Sequence, residues 1–186
     1  MYLQHFGLET FPFSTTPDPR FFYPSAKHRE ALACLVYAVE QRKGFALITG
    51  EVGAGKSMLC RAACAQFGDR VLTALVVHTS LAPKQFFQAI CAEFNIPFKN
   101  SSKMELIHQI KAMLEDQNQQ GRNVVLIVDE AQNLSRNVLE EVRLLGNLET
   151  SDEKLIQIIL VGQPELRRQI ATPDLRQLNQ RITVKF

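Results

Sequence analysis

Gly50-Glu51-Val52-Gly53-Ala54-Gly55-Lys56-Ser57, entered from the apolar run Phe45-Ala46-Leu47-Ile48-Thr49, is the stretch on which the fold turns. It fits the pattern GxxxxGK[ST], and its surroundings predict a short strand before it and a helix over 56–67 after it. Glycines at these positions let the backbone curl until successive N–H groups point inward, and the following helix adds the positive end of its dipole. That combination receives phosphate oxygens. At ordinary residue usage such a string arises by chance in roughly one chain per hundred of this length, and correct flanking elements lower the figure further. Residues 50–58, that is Gly50, Glu51, Val52, Gly53, Ala54, Gly55, Lys56, Ser57 and Met58, are therefore expected to contact a nucleotide. Lys56 reaches the β- and γ-phosphates in this reading, and the Ser57 hydroxyl ligates Mg²⁺.

A second stretch belongs at the same sheet edge. Val124-Val125-Leu126-Ile127-Val128 is apolar at every position, as a central parallel strand covered on both faces should be, and it delivers Asp129 and Glu130 at its end. Asp129 is expected to hold Mg²⁺, directly or through water. Glu130 is expected to orient the attacking water or take its proton. One further strand, 71–79, fits between the phosphate-loop strand and Asp129. With the Asp-Glu pair it indicates the additional-strand class of phosphate-loop ATPases. No NKxD guanine signature occurs in the chain, so ATP is expected rather than GTP.

Around these two stretches strands and helices alternate. Helices are predicted at 26–41, 82–94, 102–117 and 134–148, and a helical pair after 163; strands are predicted at 155–161 and at 182–186, the last at a sheet edge. Ser102 and Glu105 form a capping box, and Thr172 with Pro173 reads as cap and first turn. The alternation predicts an α/β doubly wound parallel sheet of five strands flanked by helices. Residues 1–24, aromatic and proline-rich, read as an ordered, non-helical lead-in packing on the core, and 25–186 as the α/β core itself.

Composition narrows the class without naming it. The 186 residues are 46% hydrophobic and 22% charged, which suits one globular domain. Lys and Arg number 21 and Asp and Glu 19, a net +2 that gives no electrostatic signature of a nucleic-acid or membrane-surface protein. Cys34, Cys60, Cys64 and Cys91 form no CxxC pair, which argues against zinc and for reduced thiols in a cytoplasmic setting. No run approaches the ~18 apolar residues of a membrane-spanning helix.

The predicted strand 155–161 ends next to Gln163, and because this strand is expected to lie between the two that carry the site, Gln163 falls beside Glu130. Gln163 then senses the γ-phosphate or positions the water. Arg167, Arg168, Arg176 and Arg181 follow. A guanidinium presented to a neighbour's γ-phosphate supplies charge to the transition state; Arg181 is the first choice for that finger and Arg176 the second.

The segments MYLQHFGL, TPDPRFFYPSAKHREAL, TGEVGAGKS, LIVDEAQNL, LLGNLET, LIQIILVGQPELR and LNQRI together resemble the AAA+ ATPases of the general secretion pathway protein A family, also seen in pilus-biogenesis loci. The resemblance spans essentially the whole chain. It implies a homo-oligomeric, Mg²⁺-dependent ATPase that binds ATP and ADP and works with a membrane-bound secretion or pilus assembly partner, helping to assemble the outer-membrane secretin. In the family the ATPase domain is cytoplasmic within a longer, membrane-anchored chain. Related ATPases regulate DNA transposition, so an ATP-switched, DNA-associated regulator is the alternative, not favoured by the charge balance. Carried onto this sequence, the resemblance makes Lys56 and Ser57 the phosphate-loop pair, Asp129 and Glu130 the hydrolysis pair, Gln163 the first sensor and Arg181 the finger. It also sets His28-Arg29-Glu30 near the base, against the plainer reading of His28 as a polar residue opening a helix. AAA+ modules continue into a small helical lid. The sequence reaches Phe186 on the expected fifth strand, so the C-terminal helical lid is expected to be missing and the chain to be the nucleotide-handling piece of a larger protein.

Overall fold

The structure, a computed structural model, describes residues 2–11, 19–77, 79–151 and 153–186. In chain order the elements are α1 (Tyr2–Phe6), α2 (Ala26–Glu40), β1 (Phe45–Thr49), α3 (Lys56–Phe67), β2 (Val71–Val76), α4 (Pro83–Glu93), α5 (Lys103–Gln119), β3 (Asn123–Val128), α6 (Arg136–Leu145), β4 (Gln157–Gly162), α7 (Pro164–Ile170), α8 (Arg176–Arg181) and β5 (Ile182–Lys185). The five strands form one sheet in the order β2-β3-β4-β1-β5, every pairing parallel.

Strand composition explains that order. Residues 124–128 of β3 and 158–161 of β4 are unbroken runs of Val, Ile and Leu, and both strands are interior to the sheet with these residues buried. Val124, Leu126 and Val128 face one core and Val125 and Ile127 the other, the period-2 consequence of a pleated strand. One face is covered by α4, α5, α6 and α8, the other by α2 and α3. Each Leu or Ile so enclosed contributes on the order of 2 kcal/mol. β5 is an edge strand, as its alternation of Ile182 and Val184 with polar neighbours predicts.

Polar side chains fix the opposite, N-terminal edge of the sheet. Gln157 is buried and its Oε1 accepts the Gly44 N–H at 2.7 Å, while Asn123 Nδ2 donates to the Val39 carbonyl at 2.7 Å. The second ties the end of α2 to β3, and the first ties the turn before β1 to β4. At the working edge, parallel register sets Thr49 level with Gly162 and Val128 level with Leu160. The loop after β1 and the residues after β3 and β4 therefore emerge side by side.

Several sequence expectations need correction. The strand 71–79 ends at Val76, and it is the outer strand; β4 lies between β1 and β3, as expected of the strand predicted at 155–161. The additional-strand class holds through β4, not through 71–79. His78 lies outside the described residues. The helix predicted at 134–148 begins only at Arg136, because Ala131–Asn133 is a separate 3-10 turn and Ser135 caps α6 through its hydroxyl. Thr172 precedes a 3-10 turn at Pro173–Leu175, but its hydroxyl donates backwards to the Gln169 carbonyl at 2.8 Å instead of capping.

The lead-in also differs. Tyr2–Phe6 is helical, and Phe6 and Phe11 are each 63% exposed, Tyr23 83%. Phe22 packs against the α2 and α3 core and leans on His28 at 5.4 Å between ring centroids. Residues 12–18 lie outside the described residues. No described helix is long and apolar enough to cross a membrane.

Candidate active site

The phosphate loop is built by its glycines. Gly53 (φ 77°) and Gly55 (φ 78°) occupy the left-handed region, where a β-carbon costs about 1 kcal/mol or more. At Gly55 a β-carbon would also approach His28 Nε2 to 3.1 Å. The α3 helix then starts with no side-chain cap, so its first N–H groups remain available to an anion. Lys56 is 9% exposed and spans the loop, its Nζ donating to the carbonyls of Gly50 at 2.8 Å and Glu51 at 2.9 Å. An ammonium held by loop carbonyls is poised to exchange them for phosphate oxygens.

Ser57 and Asp129 meet across the sheet edge. The Ser57 hydroxyl donates to Asp129 Oδ2 at 2.6 Å, and Asp129 Oδ1 accepts the Glu130 N–H at 2.9 Å. Asp129 is 3% exposed and its own N–H continues the ladder to the Val76 carbonyl. Its charge is felt one turn along α3 from Lys56: burial first, then the Asp129 carboxylate, push the Cys60 thiol far above its ordinary range. A hydroxyl beside a carboxylate is an all-oxygen donor pair, a set that would suit a hard cation such as Mg²⁺.

Glu130 sits at φ 50°, ψ 36°, an uncommon conformation for a residue with a side chain. Its carbonyl accepts the Thr79 hydroxyl at 3.0 Å. Its carboxylate Oε2 accepts from Gln132 Nε2 and lies 3.5 Å from Gln163 Nε2. Sequence reasoning placed Gln163 beside Glu130, and the structure brings them together. It did not find Gln132, which links the two. The only signal was a polar residue two positions beyond Glu130, and its meaning depends on where β4 ends.

Two cavities meet at the loop. The larger, about 640 Å³, is lined by residues of the α2 start, β1, the loop, α7 and Phe186. The smaller, about 370 Å³, is lined by Val52, Gly53, Gly55, Lys56, Ser57, Met58, Glu130 and Gln163. Gly50, Glu51 and Ala54 line the larger one. His28 and Glu30 also line it, and His28 is pinned there, Nε2 donating to the Ala54 carbonyl at 2.9 Å and Nδ1 lying 3.0 Å from the Ser25 hydroxyl. Arg29 does not join them; its Nη1 donates to the Pro24 carbonyl at 2.5 Å. Lys27, Pro164 and Phe186 in this lining were not foreseen.

The four arginines separate. Arg167 lines the larger cavity, and Arg168 pairs with Glu165 at 2.5 Å. Arg176 is exposed in a groove between α6 and the 3-10 turn, beside the Arg136–Asp174 ion pair. Arg181 lines neither of the two cavities at the loop. Its charge instead falls on Glu140 and Glu149, whose carboxyls are lowered mainly by hydrogen bonds from Arg143 and Lys154 and only in last place by Arg181. Because it immediately precedes β5, Arg181 is at the opposite end of the sheet from the loop.

Comparison with known proteins agrees with this geometry. The AAA domain family model matches residues 39–170. General secretion pathway protein A of Aeromonas hydrophila is 43% identical over 187 residues, an alignment that covers all of this chain and 34% of that protein. The chain thus spans about a third of the length of the curated relative it matches. Among solved structures, the ORC2 protein of Aeropyrum pernix in its ADPNP–ADP complexes superposes with a TM-score of 0.70 at 16% identity, covering 94% of this chain and 50% of that one. The Walker-type ATPase of Pyrococcus abyssi gives 0.65 at 17% identity, covering 94% and 56%. At such identities the structural likeness speaks for the fold alone. With the family match and the whole-chain identity beside it, the chain belongs to the AAA family, as an ATPase core of the general secretion pathway protein A type.

Proposed function

We propose that this chain binds ATP with Mg²⁺ and hydrolyses it, and that the cycle drives assembly of a secretion or pilus apparatus on the cytoplasmic side of a membrane. The observation that carries the catalytic part is the convergence of Lys56, Ser57, Asp129, Glu130 and Gln163 on one cavity edge. In this reading residues 50–58 and Lys56 cradle the phosphates, and the adenine and ribose occupy the larger cavity beside His28. Ser57 and Asp129 hold Mg²⁺, which supplies charge neutralisation at the phosphates when bound.

Glu130 takes a proton from water as the water oxygen bonds to the γ-phosphorus and the bond from that phosphorus to the β–γ bridging oxygen breaks, leaving ADP and phosphate. Gln163 holds the γ-phosphate or the water in line. Arg181, and after it Arg176, is offered to the site of a neighbouring copy in a homo-oligomer. The secretion role, with a membrane-bound partner, is supported by the 43% identity to general secretion pathway protein A.

Calorimetric titration with ATP and a hydrolysis assay test the site together. Lys56→Ala is expected to abolish binding, and Glu130→Gln to retain binding while turnover falls on the order of a hundredfold or more. Glu130→Gln turning over at the normal rate removes that carboxylate from the reaction. Loss of activity on chelation, restored by Mg²⁺, tests the metal.

A further inference from the structure

Gln132 uses both ends of its carboxamide. Its Oε1 accepts the backbone N–H of Gln163 at 3.0 Å, and its Nε2 donates to Oε2 of Glu130. The first bond settles which way the amide faces. A backbone N–H can only donate, so the carbonyl oxygen must face β4 and the NH₂ must face Glu130. The opposite flip would set donor against donor at one end and acceptor against acceptor at the other.

The surroundings enforce the bridge. A β-carbon on Gly162 would lie 2.6 Å from Gln132 Oε1 and 2.9 Å from Leu166 Cδ2, so the amide passes closely over the end of β4. Gln163 is also the residue from which α7 starts, and Gln169 on that helix donates to the Leu134 carbonyl at 3.0 Å just beyond the Gln132 turn. Among the described residues Glu130 Oε2 carries both side-chain bonds and Oε1 carries none. One oxygen is held and the other is left for a proton.

We propose that Gln132 is a positioning residue for hydrolysis, tying the Glu130 carboxylate to the first residue beyond β4 so that base and γ-phosphate sensor keep a fixed separation. The inference rests on the ATP-hydrolysis reading above. It assigns Gln132 no contact with nucleotide.

Three variants of the chain, Gln132→Met, Gln132→Glu and Glu130→Gln, decide it, with single-turnover hydrolysis, ATP affinity, thermal midpoint and hydrogen exchange of the Gln163 amide as readouts. Methionine keeps the length and loses both bonds. Turnover should fall on the order of ten- to a hundredfold, as for loss of a hydrogen bond to a charged group, ATP affinity should hold, and the Gln163 amide should exchange faster. Glutamate keeps the acceptor for Gln163 and sets an acceptor where the donor to Glu130 stood, so the Gln163 amide should stay protected while turnover still falls. A Gln132→Glu chain at the wild-type rate reduces Gln132 to a structural tie and overturns the proposal. So does Gln132→Met with unaltered turnover. A wild-type chain no faster than Glu130→Gln overturns the hydrolysis reading, and with it this one, and is told apart from the other failures because there the wild type outpaces Glu130→Gln.

Discussion

Gly146 and Gly162 are glycines for want of space rather than for backbone freedom. Gly146 has φ −70°, ψ 0°, open to any residue, yet a β-carbon there would lie 2.3 Å from the ring of the buried Phe45. Gly146→Ala is expected to cost about 1–3 kcal/mol through overpacking, seen in calorimetry as a lower thermal midpoint, roughly 2–4 °C for each kcal/mol. ATP affinity should not move, since the clash is far from the loop. Gly162→Ala should do the reverse in emphasis: it displaces the Gln132 amide and lowers turnover by more than its effect on the midpoint explains. Equal fractional losses in both would remove the special place given to Gly162. At this scale the sequence spoke clearly where chemistry is local. The loop 50–57 and the Asp129-Glu130 pair could be read because their partners are neighbours in sequence or follow from a known strand order. Gln132 could not be, because its two partners lie just beyond the ends of different strands and the contact depends on the register of β3 against β4.

Among the elements, β1, α3 and the apolar middle of β3 were legible from periodicity and flanking glycines, since burial on both faces leaves no polar position to confuse the pattern. β2 was overextended because the apolar run continues into Val77, which is 49% exposed after the strand has ended. The start of α6 was misplaced because Leu134 is buried although it lies outside the helix, so burial alone mimicked helical spacing. The α5 cap was read correctly from Ser102 and Glu105, and it carries a pH prediction. The Ser102 N–H, then its hydroxyl, hold the Glu105 carboxyl below its ordinary 4.5. A folded-state value below the unfolded one means a stabilising contribution that is complete above about pH 4.5 and is lost as pH falls through the lower, folded value. Denaturant midpoints should therefore drop below pH 4.5 more steeply in the wild type than in Glu105→Gln. Parallel slopes in the two chains would show that the cap does not contribute.

At the scale of the whole molecule, the sheet sets a limit on what one copy can do. Arg181 enters β5 level with the start of β1, since Phe45 pairs with Ile182, while the phosphate loop leaves the far end of β1 about 15 Å away at strand rise. Arg181 is therefore on the wrong edge to serve its own nucleotide, and a catalytic role for it requires a second copy. Turnover per chain should accordingly rise with protein concentration. Mixing separates this from simple stabilisation by crowding. Arg181→Ala retains Lys56, Asp129 and Glu130 but offers nothing to its neighbour, whereas Glu130→Gln offers the arginine and cannot use its own site. Each alone should be nearly inactive. In an equal mixture with random pairing, about a quarter of the interfaces join an intact site to an intact arginine, and activity should return to about that fraction of the wild type. Recovery by Arg176→Ala but not Arg181→Ala in the same mixture would move the role to the exposed arginine beside Arg136 and Asp174. Full activity in both single arginine variants would show that neither side chain acts on a neighbouring site.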